Sequence, residues 1–237
     1  MDKLKDKVAI ITGGTGALGR SVVSAFAEEG ARVMCTYVIE KEKRECLSLT
    51  KNHKERIHYI KADVTRENQV SRLIKQCIDK FKRIDILVNI VGGFVYSNII
   101  DTDEKTWDRM MNMNLKSAFL CLKGVLPYMI KKNYGKIVNI SSRPARKGSA
   151  GVGAYSASKA GVLNLTETIA DEVRNYKINV NAILPSTIDT PANRRDMPDD
   201  DFSKWVKPEE IAKVIVFLCS EDSRPISGAG IPVYGKA

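Results

Sequence analysis

The chain has 237 residues, 43% hydrophobic and 28% charged, with 16 glycines and 8 prolines, a balance that excludes disordered, collagen-like and low-complexity readings. Its net charge of +10 sets 38 Lys and Arg against 28 Asp and Glu, but cations and acids interleave, as in Glu40-Lys41-Glu42-Lys43-Arg44-Glu45, so a solvated face is expected rather than a nucleic-acid stripe. No apolar run approaches the ~20 residues that span a bilayer, and Met1-Asp2-Lys3-Leu4-Lys5-Asp6-Lys7 is too charged for a signal peptide, so a cytoplasmic protein with neither membrane nor nucleic-acid partner is expected.

Short β-branched runs alternate with longer helical patterns. Val8-Ala9-Ile10-Ile11 predicts a buried strand, followed by a glycine cluster and a helix over about Leu18 to Glu29 that Gly30 ends. Arg32 to Thr36 predicts strand two, a charged helix runs to about His53, and Ile57 to Ile60 is strand three. Asp63 and Thr65 offer N-caps for a helix from about Glu67 to Phe81. Ile84 to Asn89 is strand four, Asp103 to Asn133 a long helical stretch with a break near Asn112 to Asn114, and Lys136 to Ile140 strand five. A helix over Val152 to Tyr176, strand six at Ile178 to Leu184, a helix over Pro208 to Cys219 and strand seven at Ile231 to Tyr234 complete the order.

Strands that are apolar throughout, separated by amphipathic helices, predict an α/β fold: a doubly wound, seven-stranded parallel sheet with helices on both faces. No linker or repeat divides residues 1–237, which are expected to form a single domain. The long irregular stretch from Pro185 to Lys204 predicts a substrate lid at about residues 186–207, over the carboxyl ends of the strands. Five scattered cysteines (Cys35, Cys46, Cys77, Cys121, Cys219) and two histidines (His53, His58) show no metal-ligand spacing, so no metal site and only reduced, buried thiols are expected.

After strand one the chain reads Thr12-Gly13-Gly14-Thr15-Gly16-Ala17-Leu18-Gly19 and enters a helix. Glycines here let backbone amides approach a pyrophosphate, and the helix N-terminus adds partial positive charge, so a Rossmann-type dinucleotide loop is expected rather than an ordinary tight turn. A site specific for NAD usually carries a carboxylate at the end of strand two. Here that end reads Thr36-Tyr37-Val38-Ile39-Glu40, followed by Lys41, Lys43 and Arg44. Glu40 lies late for a ribose diol and the cations suit a 2′-phosphate, so the sequence leans to NADP over NAD. A reading in which all four charges face water stays open.

The helix after strand five carries Tyr155-Ser156-Ala157-Ser158-Lys159. Tyr155 and Lys159 are four residues apart and share a helix face, where an ammonium favours the phenolate and is expected to pull the tyrosine pKa down toward working pH. The alternative is a core tyrosine beside an exposed lysine. Thirteen residues earlier, strand five ends in Asn139-Ile140-Ser141-Ser142, whose hydroxyl can reach the same substrate oxygen.

With these residues in place, the sequence resembles the short-chain dehydrogenase/reductase family over essentially its whole length. The resemblance implies a tetrad of Asn114, Ser142, Tyr155 and Lys159. Tyr155 would be the general acid in carbonyl reduction and the general base in alcohol oxidation. Lys159 would tune it and bind the nicotinamide ribose, Ser142 would polarise the carbonyl, and Asn114 would hold a water linking Lys159 to solvent. Both Tyr155 and Lys159 also belong to the implied cofactor site, with Gly13, Thr15, Gly16, Leu18, Gly19 and Tyr37. So do Asp63 and Val64 at the adenine, Asn89 and Gly92 after strand four, and Pro185, Ile188 and Thr190 at the nicotinamide amide.

Some details depart from the family pattern. Ala17 stands where a glycine is usual, Asn89-Ile90-Val91-Gly92 replaces Asn-Asn-Ala-Gly, and Pro185-Ser186 replaces Pro-Gly. The glycine loop, the Gly92-Gly93-Phe94 step, and Thr190 to Pro198 with Asp201-Phe202-Ser203-Lys204-Trp205 are similar to the dihydropteridine reductase branch. That branch lacks the serine and carries Asp where Tyr37 stands. Phe202 and Trp205 are expected to anchor the lid and Trp107 to lie in the core or a helix interface. Arg143, Arg146, Lys147, Arg194 and Arg195 can focus an anionic substrate or pair with Asp196, Asp199, Asp200 and Asp201.

The sequence therefore implies an NAD(P)-dependent oxidoreductase for a small ketone or secondary alcohol, 3-oxoacyl compounds included. Its alternatives are quinonoid dihydropterin reduction and, outside catalysis, a dinucleotide-binding sensor. The resemblance also implies a homodimer or homotetramer paired through the two long helices.

Overall fold

The structure is a computed structural model that describes residues 2–236. β1 (Val8–Thr12) is buried at every position, as a strand covered on both faces must be. It is followed by β2 (Arg32–Tyr37), β3 (Ile57–Lys61), β4 (Ile86–Asn89), β5 (Gly135–Ile140), β6 (Ile178–Pro185) and β7 (Gly230–Val233). Among the described residues these form one seven-stranded sheet in the order β3-β2-β1-β4-β5-β6-β7, every pair parallel. The doubly wound α/β architecture expected from the sequence is the one adopted. The order reverses between β1 and β4, where crossovers diverge to opposite faces and leave a crevice at the carboxyl ends.

On one face, α1 (Ala17–Glu28) and α8 (Pro208–Cys219) set Val22, Phe26, Ile211 and Ile215 against Ile11, Val33 and Val88. α2 (Glu40–Leu49) lies outside this layer and buries only Cys46. On the other face, α3 (Glu67–Phe81) and α5 (Ser117–Lys132) cover Ile10, Leu87 and Ile137 with Leu73, Leu122 and Val125. α6 (Gly153–Glu172) adds Ile169. Each such side chain contributes ~1.5–3 kcal/mol on leaving water, which fixes the helices over the sheet and leaves its carboxyl edge for the site. All five cysteines are reduced and buried.

Several boundaries shift for identifiable reasons. β4 starts at Ile86 because Asp85, fully buried, turns its carboxylate back to accept from the Val8 amide and pairs with Arg83 and Lys132. Asp63 and Thr65 do not cap α3. The Asp63 carboxylate instead accepts from the amide and hydroxyl of Thr65 and from Arg66, leaving Arg66 at the cap without a side-chain bond. The charged helix ends at Leu49 and continues as a 3₁₀ turn, Lys51–Arg56. The expected break near Asn112 is a π-helical segment, Met111–Lys116, between α4 (Glu104–Met110) and α5. Wider turns of this kind recur at functional sites. The lid stretch is not wholly irregular, since α7 (Pro191–Asp196) starts on Pro191 and is capped by Thr190.

Candidate active site

Gly19 lies in the first turn of α1, where a Cβ would come within 2.1 Å of the Gly13 carbonyl oxygen. Only glycine lets the helix end sit so close beneath the loop. Gly16 caps α1 with no side-chain bond, so the first-turn amides lack intrahelical partners and, with the helix dipole, form an anion-seeking end. Leu18 and Thr15 are buried here, and the Thr15 hydroxyl donates to Glu42 Oε2 at 3.3 Å.

Asn89 stands opposite Thr12 in register at the switch point. Its Nδ2 donates to Asn139 Oδ1 at 2.8 Å, and Asn139 passes the chain on to Thr166. Asn89 Oδ1 is left buried without a partner, an orphan that costs about 1–3 kcal/mol unless something satisfies it. A cradle of amides beside an unsatisfied acceptor fits a dinucleotide.

At the end of β2, Tyr37 is buried and its hydroxyl accepts from Lys43 Nζ at 3.3 Å. That ammonium also lies 3.7 Å from Glu40. The Tyr37 hydroxyl, with Glu40, holds the Lys43 amine above its ordinary value. Val64 is buried in the core. Burial alone would raise the Asp63 carboxyl, but the hydrogen bonds from Thr65 and Arg66 outweigh it and hold it low. Pro185 ends β6, and the Ile188 carbonyl accepts from Asn193 Nδ2. The Thr190 hydroxyl accepts from the Asn193 amide as the cap of α7.

The four tetrad residues converge at the ends of β4 and β5. The π segment carries Asn114 against Gly93: Oδ1 accepts from the Gly93 amide at 2.8 Å, and Nδ2 donates to the Gly93 carbonyl and to Ser158 Oγ. Ser158 in turn donates to the Tyr155 carbonyl. Lys159, buried, donates from Nζ to the Ile140 carbonyl at 2.8 Å. Ser141 Oγ holds the Lys159 carbonyl. Gly92 is required by the same close approach, because a Cβ there would lie 2.7 Å from Asn114 Oδ1 and 3.1 Å from Lys159 Nζ.

The expected lowering of the Tyr155 phenol is corrected. Burial pushes its pKa up, and the Ser142 hydroxyl only partly offsets that. The reason is the lysine's direction: Lys159 Nζ turns to the Ile140 carbonyl, 6.0 Å from the Tyr155 ring centroid. Burial brings the lysine itself down to about 8. Ser142 is buried beside the phenol, and Phe94 meets the Tyr155 ring edge-on at 5.0 Å.

Three of the mouth cations find partners other than Asp196, Asp199, Asp200 and Asp201. Arg194 forms a two-pronged bond to Asp189 at 2.6 and 2.8 Å, not to the aspartates beyond it. Arg146 donates to the Gly230 carbonyl and Arg143 lies over the Tyr234 ring. Arg195 and Lys147 have no ion pair among the described residues. Trp205 is buried and stacks on Phe202 at a tilt. Trp107, expected in the core or a helix interface, is outside the core, 38% exposed on α4. Sequence reasoning missed Ser158 and Glu42. Ser158 was signalled by its place three residues after Tyr155, whereas Glu42 sat unmarked in a charge-rich run.

The short chain dehydrogenase family matches residues 7–201. The chain is similar to the 3-oxoacyl-[acyl-carrier-protein] reductase FabG of Thermotoga maritima, 33% identical over 242 residues, covering 98% of each chain. It is similar to the (2S)-[(R)-hydroxy(phenyl)methyl]succinyl-CoA dehydrogenase subunit BbsD of Thauera aromatica, 34% identical over 98% of this chain and 96% of that one. Among solved structures, levodione reductase superposes with a TM-score of 0.92 at 27% identity, covering 98% of this chain and 97% of that one. A short-chain dehydrogenase/reductase from Burkholderia xenovorans gives 0.94 at 30% identity, covering 99% and 97%.

Proposed function

The chain belongs to the short-chain dehydrogenase/reductase family, and from that premise we propose a carbonyl reductase in which Tyr155 is the proton donor. At the coarser level it is an NAD(P)-dependent oxidoreductase acting on small carbonyl or alcohol substrates. The observation that carries the finer reading is the Tyr155 phenol, kept neutral by burial and bonded to Ser142. A neutral phenol is a donor at neutral pH, which suits reduction.

Bound nicotinamide supplies the hydride. The remaining work falls to this chain's own side chains. Ser142 hydrogen-bonds the substrate carbonyl oxygen and stabilises the charge that develops there. Tyr155 protonates that oxygen. Lys159, held at about 8 by burial, keeps an ammonium near the phenol at neutral pH and contributes to the ribose site. Asn114 Oδ1 and Lys159 Nζ converge over Gly92, and Oδ1 keeps one lone pair for a water that joins the lysine to solvent. The cofactor contacts follow the crevice: Gly13, Thr15, Gly16, Leu18 and Gly19 at the pyrophosphate, Tyr37, Asp63 and Val64 at the adenosine. Asn89 and Gly92 follow at the nicotinamide riboside and Pro185, Ile188 and Thr190 at its amide.

NADP is preferred over NAD in this reading, because β2 ends in Tyr37 under the Lys43 ammonium rather than in a carboxylate. The substrate is a 3-oxoacyl-type ketone. Phe94 and its exposed neighbours Tyr96, Ile99 and Ile100 provide an apolar wall beside the phenol, and Arg195 and Lys147 a cationic grip for an anionic group at the mouth. Residues 1–237 act as a single dinucleotide-binding domain, with residues 186–207 as its lid. Exposed Phe119 and Tyr128 on α5 favour pairing as a homodimer or homotetramer. Among the described residues no helix is long and apolar enough to cross a membrane, which suits a cytoplasmic site of action.

Parallel turnover assays with NADPH and NADH over simple ketones, 3-oxoacyl thioesters and a quinonoid dihydropterin test this reading. NADPH-driven reduction of a 3-oxoacyl thioester is expected. Cofactor binding without turnover of any carbonyl would replace the enzyme by a dinucleotide sensor, and turnover of the pterin alone would replace the ketone.

A further inference from the structure

At the sheet edge opposite the catalytic residues, the amino ends of β5 and β6 border a cavity of about 400 Å³. Its floor is Lys136, the second residue of β5, whose side chain is 1% exposed. Lys136 Nζ donates to Asn179 Oδ1 at 2.8 Å and to no other acceptor among the described residues. An ammonium carries three donors, so two N–H groups of a buried cation lack protein acceptors. Asn179 cannot turn to serve them, because its Nδ2 is committed to the carbonyls of Arg224 and Ile226, both at 3.0 Å.

The carboxylate in the cavity wall is also committed. Glu221 Oε1 accepts from the Tyr134 hydroxyl at 2.8 Å and lies 3.8 Å from Lys7 Nζ. Lys177 and Arg224 line the cavity from exposed positions and have no carboxylate partner among the described residues. Burial holds the Lys136 amine below its ordinary range; Lys7 and Arg224 push the same way, against Glu221 and Cys219. The cavity thus gathers three cations around one acid, with two donors of its buried ammonium unused.

We propose that this cavity binds a small phosphate monoester, whose phosphoryl oxygens take the two unused donors of Lys136 and the charges of Lys177 and Arg224. A buried ammonium with two donors unused is costly, and a dianion with several acceptor oxygens relieves it better than a single carboxylate does. The volume exceeds that of phosphate and falls within the ~300–1,000 Å³ of small-molecule sites, leaving room for an organic stem between Tyr134 and Tyr176. The site is separate from the dinucleotide crevice. Lys136 and Ile140 stand at opposite ends of β5, about 13 Å apart at ~3.3 Å per residue.

Calorimetric titration of the NAD(P)H-saturated protein tests this, since a filled crevice cannot take up the probe. Inorganic phosphate, phenyl phosphate and phenol are titrated at constant ionic strength in chloride. Saturable binding of both phosphates, tighter for phenyl phosphate and undetectable for phenol, is expected. Lys177→Ala/Arg224→Ala weakens it by about tenfold or more, and Lys136→Met abolishes it. Because Lys136→Met also removes the bond to Asn179 and can loosen the strand edge, the exposed pair carries the test independently. No saturable heat with either phosphate, equal binding of phenol, or unchanged affinity in the double variant would overturn the proposal.

Discussion

Substituting Gly92 with alanine probes the convergence of Asn114 and Lys159 with one carbon atom. The new methyl would sit 2.7 Å from Asn114 Oδ1 and 3.1 Å from Lys159 Nζ, against an ordinary carbon–oxygen contact of about 3.3 Å or more. Asn114 has little room to yield, because its amide is tied to both backbone groups of Gly93 and to Ser158. Displacing it by about half an ångström stretches those bonds, and overpacking of this kind costs ~1–3 kcal/mol. At ~2–4 °C per kcal/mol for a chain of this size, the melting temperature should fall by a few degrees. Catalysis should suffer more, since a displacement approaching 1 Å near the reacting groups can cost ~10²-fold. Steady-state ketone reduction measured beside thermal unfolding separates the two effects. Retention of kcat within about twofold of wild type, in a folded Gly92→Ala protein, would refute the claim that Asn114 and Lys159 meet there.

Other outcomes follow from the same geometry. Ser142→Ala should cut ketone reduction by ~10²–10³-fold while sparing quinonoid pterin reduction to within severalfold; equal loss of both would count against a carbonyl-specific role for the serine. The kcat/KM for reduction should be full below pH 8 and decline above it, because Lys159 titrates at about 8 and its working form is the protonated one. A profile flat to pH 9.5 would contradict that assignment. Asp85→Ala strips the Val8 amide, Arg83 and Lys132 of their buried acceptor and should cost ~3–5 kcal/mol in chemical denaturation, as broken buried ion pairs do; a loss under about 1 kcal/mol would place that network at the wet end of surface pairs.

Legibility from sequence tracked the range of the forces involved. β1, α3 and α8 were readable because their apolar spacing, with Pro208 at a helix start, is a local signal. The glycine loop was readable because close backbone approach leaves no other residue type. The π segment was half readable: Asn112 to Asn114 looked like a break, but the wider turn accompanies a contact distant in sequence, Asn114 with the Gly93 amide. The direction of Lys159 was not readable, since its partner is a backbone carbonyl nineteen residues away in sequence. The sign of the Tyr155 shift follows that direction. The pairing of Arg194 with Asp189 was not readable: the sequence offers an anionic substrate or the later aspartates, whereas the Thr190 cap starts α7 so that the side chain reaches back to Asp189. Trp107 reads as core or helix interface, and its 38% exposure on α4 excludes only the core.

The most direct test is single-turnover reduction by Tyr155→Phe, with cofactor affinity measured on the same protein. Removing a positioned proton donor while keeping the ring against Phe94 should weaken cofactor binding by no more than the one lost hydroxyl contact and slow the chemical step far more, by ~10²–10⁴-fold. A rate within about tenfold of wild type, at unchanged cofactor affinity, would contradict the account.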